Sequence, residues 1–187
     1  MIRPSPSHLV DLKMKDMKKV LLTIIALFLV NLCISAQIQR KYFDFTFGKT
    51  TKTEVKSYLN KKKKSILDER GDVIMVPNMR FAGQEWSLAV FRFYKGKLES
   101  VYFSFDDVMN SRESVNSLWK HLKKSLDSKY SDFYRTIASS EERHYYQDNM
   151  TNVFLNWASA DGVSAVTLMY TDNEMSKEHI AEEENEL

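Results

Sequence analysis

Cysteine is nearly missing from this chain: there is one in 187 residues, Cys33, inside a hydrophobic N-terminal stretch. A mature chain starting after Ala36 has none, which excludes disulfides, thiolate nucleophiles and cysteine metal sites from it. Its stability then rests on the core alone, which ~150 residues can supply. Glycine is also scarce, and five in all leave no phosphate-cradling loop. Beyond residue 36 the histidines are His121, His144 and His179, without an HExxH motif or a close His pair, and no GxSxG nucleophile elbow occurs. Net charge is small as well. The formal +2 includes five basic and two acidic groups within residues 1–36, so the remainder holds 22 basic and 23 acidic groups, a net −1. Such a domain has no overall field to gather nucleic acid or an anionic membrane. These absences point away from an enzyme and imply neither cofactor nor metal.

The N-terminus reads as an address. Lys18 and Lys19 precede a 15-residue apolar run, Val20 to Ile34, followed by Ser35, Ala36 and Gln37. A basic region, a short apolar core and a small residue at the break are the marks of a secretory signal peptide. A membrane span needs ~20 apolar residues, so no stable span is expected after cleavage. The Ala36–Gln37 junction resembles a Gram-negative signal peptidase site, which implies a periplasmic or secreted protein. Leu29 to Cys33 approximates a lipobox, but Leu32 stands where a small residue precedes a lipidated cysteine. Residues 1–16 are unlike an n-region, and Met14 or Met17 is an alternative start.

Two hairpins dominate the mature part. Trp86–Tyr94 and Leu98–Phe105 alternate apolar and polar residues around Lys95-Gly96-Lys97. A two-residue loop groups Trp86, Leu88 and Val90 with Val101, Phe103 and Phe105. The other face then carries Ser87, Ala89, Phe91, Phe93, Ser100, Tyr102 and Ser104, whereas a three-residue loop regroups both faces. In the second hairpin, Asn152–Ala158 and Val163–Thr171 flank Asp161-Gly162, a type I′ signature. Here Val153, Leu155 and Trp157 join Val166, Leu168 and Tyr170, opposite Phe154, Asn156, Thr167 and Met169.

A helix precedes each set of strands. Thr51 and Glu54 have capping-box spacing, with Val55, Tyr58 and Leu59 as the stripe. Asn110 and Glu113 repeat that spacing ahead of Val115, Leu118, Trp119, Leu122 and Leu126. Tyr42 to Phe47 reads as an extended strand. Asp72 to Val76 reads as a strand that Pro77 confines to an edge or kinks, and His144 to Gln147 as another. Lys61 to Lys64 read as a solvated helix end, and Asp106-Asp107 as loop carboxylates rather than an acid–base pair. Residues 173–187 form an acidic tail, a frayed helix or disordered.

The order is helix, three strands, helix, three strands. This predicts an α+β fold of tandem αβββ halves, residues 43–106 and 107–172, within one domain over 37–172. Two helices pack on one face of an antiparallel sheet and the other face stays open.

Phe47-Gly48-Lys49-Thr50, Thr53-Glu54-Val55, Arg80-Phe81-Ala82-Gly83 and the hairpin from Phe91 to Phe103 resemble the β-lactamase-inhibitor-protein-like superfamily. That group includes SmpA/OmlA-type outer-membrane-assembly lipoproteins and secreted bacterial proteins of unknown role. The resemblance covers residues 43–105, and the second half only in its order of elements. It implies a non-catalytic protein that binds through an exposed sheet.

The residues chosen for that face are Phe91, Phe93 and Tyr102 from one hairpin and Phe154 and Asn156 from the other, since aromatics concentrate at interface hot spots. The alternative for each is burial beneath a helix or the Tyr42–Phe47 segment. The expectation is an exported, non-catalytic binding module with a protein partner or a second copy of itself. The alternative is a small-molecule carrier or sensor with an aromatic-lined pocket.

Overall fold

The computed structural model describes residues 37–136 and 142–185. The signal-peptide reading, the cleavage junction after Ala36 and the Cys33 question fall outside these residues. Contacts divide the chain into Met1–Gln37 and Ile38–Leu187, and the fold below is that of the second unit.

The fold is α+β. Strands β1 (Lys41–Tyr42) and β2 (Phe45–Thr46) form a small hairpin, followed by α1 (Lys52–Lys61). Strands β3 (Asp68–Arg70), β4 (Val73–Phe81), β5 (Gln84–Tyr94) and β6 (Lys97–Asp106) lead to α2 (Arg112–Tyr130). A 3-10 turn, β7 (Arg143–Gln147), β8 (Thr151–Ala160), β9 (Val163–Asp172) and α3 (Asn173–Asn185) complete it. Seven strands make one open antiparallel sheet in the order β3-β4-β5-β6-β9-β8-β7. Four strands, β3 to β6, follow α1 where three were expected, because Asp68–Arg70 adds a short edge strand; three follow α2, and the two sets meet where β6 pairs with β9.

Local chemistry explains the elements. Thr51 and Glu54 form a complete capping box on α1, which buries Val55 and Leu59. The cap of α2 is Ser111, one residue beyond the expected Asn110: its hydroxyl accepts from the Ser114 N–H. The Asn110 side chain instead donates to the Asp106 carbonyl at 2.9 Å. Val115, Leu118, Leu122, Leu126 and Tyr130 are the buried stripe of α2. Pro77 lies in the part of β4 beyond the reach of β3, which pairs only with Val73–Met75. It therefore occupies an edge position, where a missing N–H costs no ladder bond.

The Tyr42–Phe47 segment is a tight hairpin rather than one extended strand, because Phe43 takes a positive φ of 56°. It packs on the core side of the sheet. Phe43 and Phe45 place their ring centroids 6.5 and 5.8 Å from that of Phe91, and Tyr42 lies 4.3 Å from Tyr170.

The first hairpin corrects the expected faces. Lys95 and Gly96 both have positive φ, 49° and 72°, so the loop has two residues of type I′ form. Continued unchanged, that register would set Leu88 and Val90 opposite Phe103 and Val101. A bulge shifts it between Arg92 and Phe93, so Ala89 pairs with Phe103 and Phe91 with Val101. One extra residue reverses the faces of everything beyond it. Phe91 and Phe93 consequently lie in the core at 0% exposure, and Leu88 and Val90 turn to the open face. Trp86 also stays in the core, its ring 5.3 Å from Phe103. The second hairpin has no such shift, and Val153, Leu155 and Trp157 pair with Tyr170, Leu168 and Val166 as its turn predicts.

Candidate partner-binding face

The open face is built by residues that alternate with the core set along five long strands and β7. Its centre is a transverse row, Met75–Val90–Tyr102–Met169–Phe154–Tyr145, one residue from each of β4, β5, β6, β9, β8 and β7. At ~4.8 Å between strands the row spans about 24 Å. All six side chains are half-buried. Cross-strand neighbours shield one another, and burial raises the Tyr102 and Tyr145 hydroxyls above the ordinary tyrosine range.

Polar rows flank this band. On one side run Pro77–Leu88–Ser104–Thr167–Asn156–Arg143, and on the other Val73–Arg92–Ser100–Thr171–Asn152–Gln147. Hydroxyls, amides and two arginines thus border a stripe of Met, Val and aromatic side chains, the composition of an interface core and rim.

Of the residues chosen from sequence, Tyr102, Phe154 and Asn156 lie on this face, and Tyr102 and Phe154 both pair with Met169. Phe91 and Phe93 do not. They belong to the core, Phe91 beneath the Tyr42–Phe47 segment that had been the alternative for it. Met169 shares the face with Phe154 as the second hairpin's turn predicts, and the missed members are Met75, Val90 and Tyr145. Val90 needed the bulge, and Met75 and Tyr145 needed the outer strands placed beside their neighbours.

The C-terminal helix lies at one end of the face. Together with the sheet it walls a groove of about 410 Å³ whose lining includes Arg92, Tyr145, Asn152, Phe154, Met169 and Ser176. A second depression of about 490 Å³ lies at the other end, lined by Arg143, Phe154, Asn156 and Trp157 among others.

Other groups of chemical interest have structural work. The Asp106 carboxylate accepts from the N–H groups of Val108 and Met109, at 3.2 and 3.1 Å. That of Asp107 accepts from the Ser164 N–H at 2.9 Å, which ties the loop to β9. His144 is 5% exposed between the rings of Trp119 and Tyr134, with Nδ1 4.0 Å from Asp127. Asp127 accepts from the Tyr146 hydroxyl at 2.6 Å. Aromatic rings wall the histidine, which packs between α2 and β7, and the Asp127 carboxylate reaches it from the surface of α2. Among the described residues no group of three or more His, Cys, Asp or Glu side chains is placed to hold a metal, and no helix is long and apolar enough to cross a membrane.

No family model, curated protein or solved structure matches the chain. The functional reading therefore rests on the face itself.

Proposed function

We propose that the chain is an exported, non-catalytic binding module that takes a protein partner on the open face of its sheet. The observation that supports this is the six-residue row from Met75 to Tyr145, bordered by Ser, Thr, Asn and Arg. A soluble monomer seldom keeps a wide contiguous apolar band on its surface without using it. Two tyrosines, a phenylalanine and two methionines suit such use, because large, adaptable side chains dominate interface energetics. The resemblance to β-lactamase-inhibitor-protein-like domains leads to the same reading, and the signal-like N-terminus supports an encounter in the periplasm or outside the cell.

The test is site-specific photocrosslinking in the exporting host. A benzoylphenylalanine at Tyr102 or Phe154 should give one defined protein adduct, and the same probe at Lys120, on the exposed side of α2, should not. Equal adducts at all three sites, or none at the two face positions, would refute the reading.

The groove between α3 and the sheet favours one second reading, a carrier for a small molecule. About 410 Å³ lined by Tyr145, Phe154 and Met169 with Arg92 and Asn152 lies within the size range of ligand pockets. Native mass spectrometry of the purified chain separates the two: a retained small molecule supports the carrier, and a bare mass with a protein crosslink supports the module.

A further inference from the structure

Charge holds the later turns of the C-terminal helix to the sheet. Along α3 only Asn173 is buried, and Ile180, its one branched aliphatic residue, is 52% exposed. A helix without an apolar stripe gains little from the hydrophobic effect. Its later turns rest instead on two polar contacts. The Lys95 ammonium, in the β5–β6 turn, lies 2.7 Å from Glu182 and 3.8 Å from Glu178, and 4.7 Å from the Tyr94 ring centre. His179 stacks on Tyr94 with centroids 4.7 Å apart, and its Nδ1 lies 3.1 Å from the Glu99 carboxylate. Glu99 is 3% exposed, where a carboxylate is costly without a hydrogen-bonding partner.

The first turn is held differently. Asp172, 2% exposed, accepts from the N–H groups of Glu174 and Met175 at 3.1 and 3.0 Å and pairs with Arg40. Asn173 donates its side-chain amide to the Asp148 carbonyl at 2.7 Å and its N–H to the Met150 carbonyl at 3.0 Å. A Cβ on Gly48, whose φ is +73°, would come within 3.5 Å of Asp172 and 3.6 Å of Met175, so the joint is closely packed. Fixed first turn and charge-held later turns enclose the groove that Ser176 helps to line.

We infer that α3 is a hinged strap: its first turn stays anchored at Asp172 and Asn173 while its later turns swing off the face when the contacts of Lys95 and Glu99 are broken. Opening widens the groove and uncovers Ser100 and Thr171, which are 8% and 7% exposed, so the helix controls how much of the face a ligand meets. The opening itself does not depend on the partner-binding reading; its effect on what the face meets rests on that reading.

The charged and titratable groups around the latch are Arg92, Tyr94, Lys95 and Glu99 from the sheet and Glu178, Glu182 and Glu183 from α3 itself, the last 3.5 Å from His179 Nε2. The hydrogen bond from Lys95 holds the Glu182 carboxyl below its ordinary range, and the same bond holds the Lys95 ammonium above its own. The Lys95–Glu182 contact is thus complete at neutral pH and is lost as acid protonates Glu182. Both partners are exposed, so salt weakens it too.

The test is amide hydrogen exchange on the full chain, read by mass spectrometry. Lys95→Asn removes the charge while keeping a residue that tolerates the positive φ of this turn. His179→Ala removes the partner of Glu99 while raising helix propensity, so any opening runs against the intrinsic preference. Exchange over residues 177–185 should rise about fivefold in Lys95→Asn and about tenfold or more in His179→Ala, the scale of one weak ion pair and one half-buried contact. Amides of 173–175 and of β8 should be unchanged. Wild-type chain in 1 M NaCl should show the same localised rise, so the result does not hang on either variant folding. Peroxide oxidation should quicken at Met169, which lines the groove with Ser176, and not at Met75 in the same row. Unchanged exchange over 177–185 in both variants and in high salt would overturn the inference. Equal acceleration of 173–175, which would mean the helix leaves as a unit, would also overturn it.

Discussion

The two faces of one sheet carry the same strands and opposite lessons. Toward the helices, Trp86, Phe91, Phe93, Phe103, Leu98, Leu155 and Leu168 are at most 1% exposed, closed over by α1, α2 and the β1–β2 hairpin. Toward the other side, the residues between them are Met75, Val90, Tyr102, Met169 and Phe154, each only half-buried. The first set has many partners from other layers. Most of the second set touches mainly its own cross-strand neighbours. Aromatic content therefore does not distinguish core from surface here. What does, from Leu88 to Phe105, is the residue's parity relative to the bulge between Arg92 and Phe93; Trp86 lies beyond a second break, where Asn78 takes a positive φ of 50° and the β4–β5 ladder skips Ser87.

That comparison is sharpest at Phe91 and Tyr102, which lie on adjacent strands and opposite faces. Phe91→Ala should cost about 3–5 kcal/mol in urea unfolding, through lost transfer and the cavity left among Phe43, Phe45 and Val101. A loss under about 1 kcal/mol would mean that Phe91 is not in the core and that the bulge register is wrong.

Next in size is Arg40, which pairs with buried Asp172 at the joint of α3. Arg40→Ala should cost about 2–3 kcal/mol, since the carboxylate keeps two backbone donors but loses its cation. The protection of amides 173–175 should fall with it. A change confined to the later turns of α3 would show that the anchor lies elsewhere.

Much of this was legible in the sequence. Alternation gave both hairpins, Asp161-Gly162 gave the correct register of the second, and the spacing of Thr51 and Glu54 gave a true capping box. The first hairpin was misassigned for a physical reason. Its Lys95-Gly96 turn implies one register, and the bulge beyond it imposes another; the strand residues themselves suit either, because both faces are apolar enough to be buried. Charged β3 gave no strand signal, since Asp68-Glu69-Arg70 lacks apolar alternation and is held by pairing with β4. The acidic tail offered a helix or disorder, and its contacts with Lys95 and Glu99 join residues about 80 positions apart, which no local pattern reveals. Of the chosen face, Tyr102, Phe154 and Asn156 were within reach, and the continuous row was not, because it exists only once six strands are side by side.

A smaller effect is expected at the edge of the core, where Tyr146 donates to Asp127. Burial works to raise the Asp127 carboxyl, but the hydrogen bond from Tyr146 and the bond and charge of Lys123 outweigh it, so its pKa lies below the ordinary aspartate value. A carboxyl depressed in the folded state contributes stability above its unfolded pKa, and that contribution is lost as pH falls through the folded value. Tyr146→Phe should cost about 1 kcal/mol at neutral pH, a figure kept small because the Asp127 side chain is 41% exposed. The difference between variant and wild type should shrink in acid. A constant difference from pH 7 to pH 3 would assign the loss to removal of the buried hydroxyl itself instead of to its bond with the ionised carboxylate.

The smallest effect on stability is expected on the proposed partner face. Tyr102→Ala removes a half-buried ring from the open face, bordered by Val90 and Met169, and leaves an open notch rather than a closed cavity. The cost should stay near 1 kcal/mol, well below that of Phe91→Ala. If the face takes a partner, the same substitution should weaken that complex by about 2 kcal/mol or more, as loss of a central aromatic anchor does. The ratio of the two effects separates the faces better than either number alone. At Phe91 nearly all of the loss belongs to folding, and at Tyr102 most of it belongs to binding. A Tyr102 variant that lost stability as Phe91→Ala does would show that something already covers this face, and among the described residues α3, anchored at one end of it, is in a position to do so.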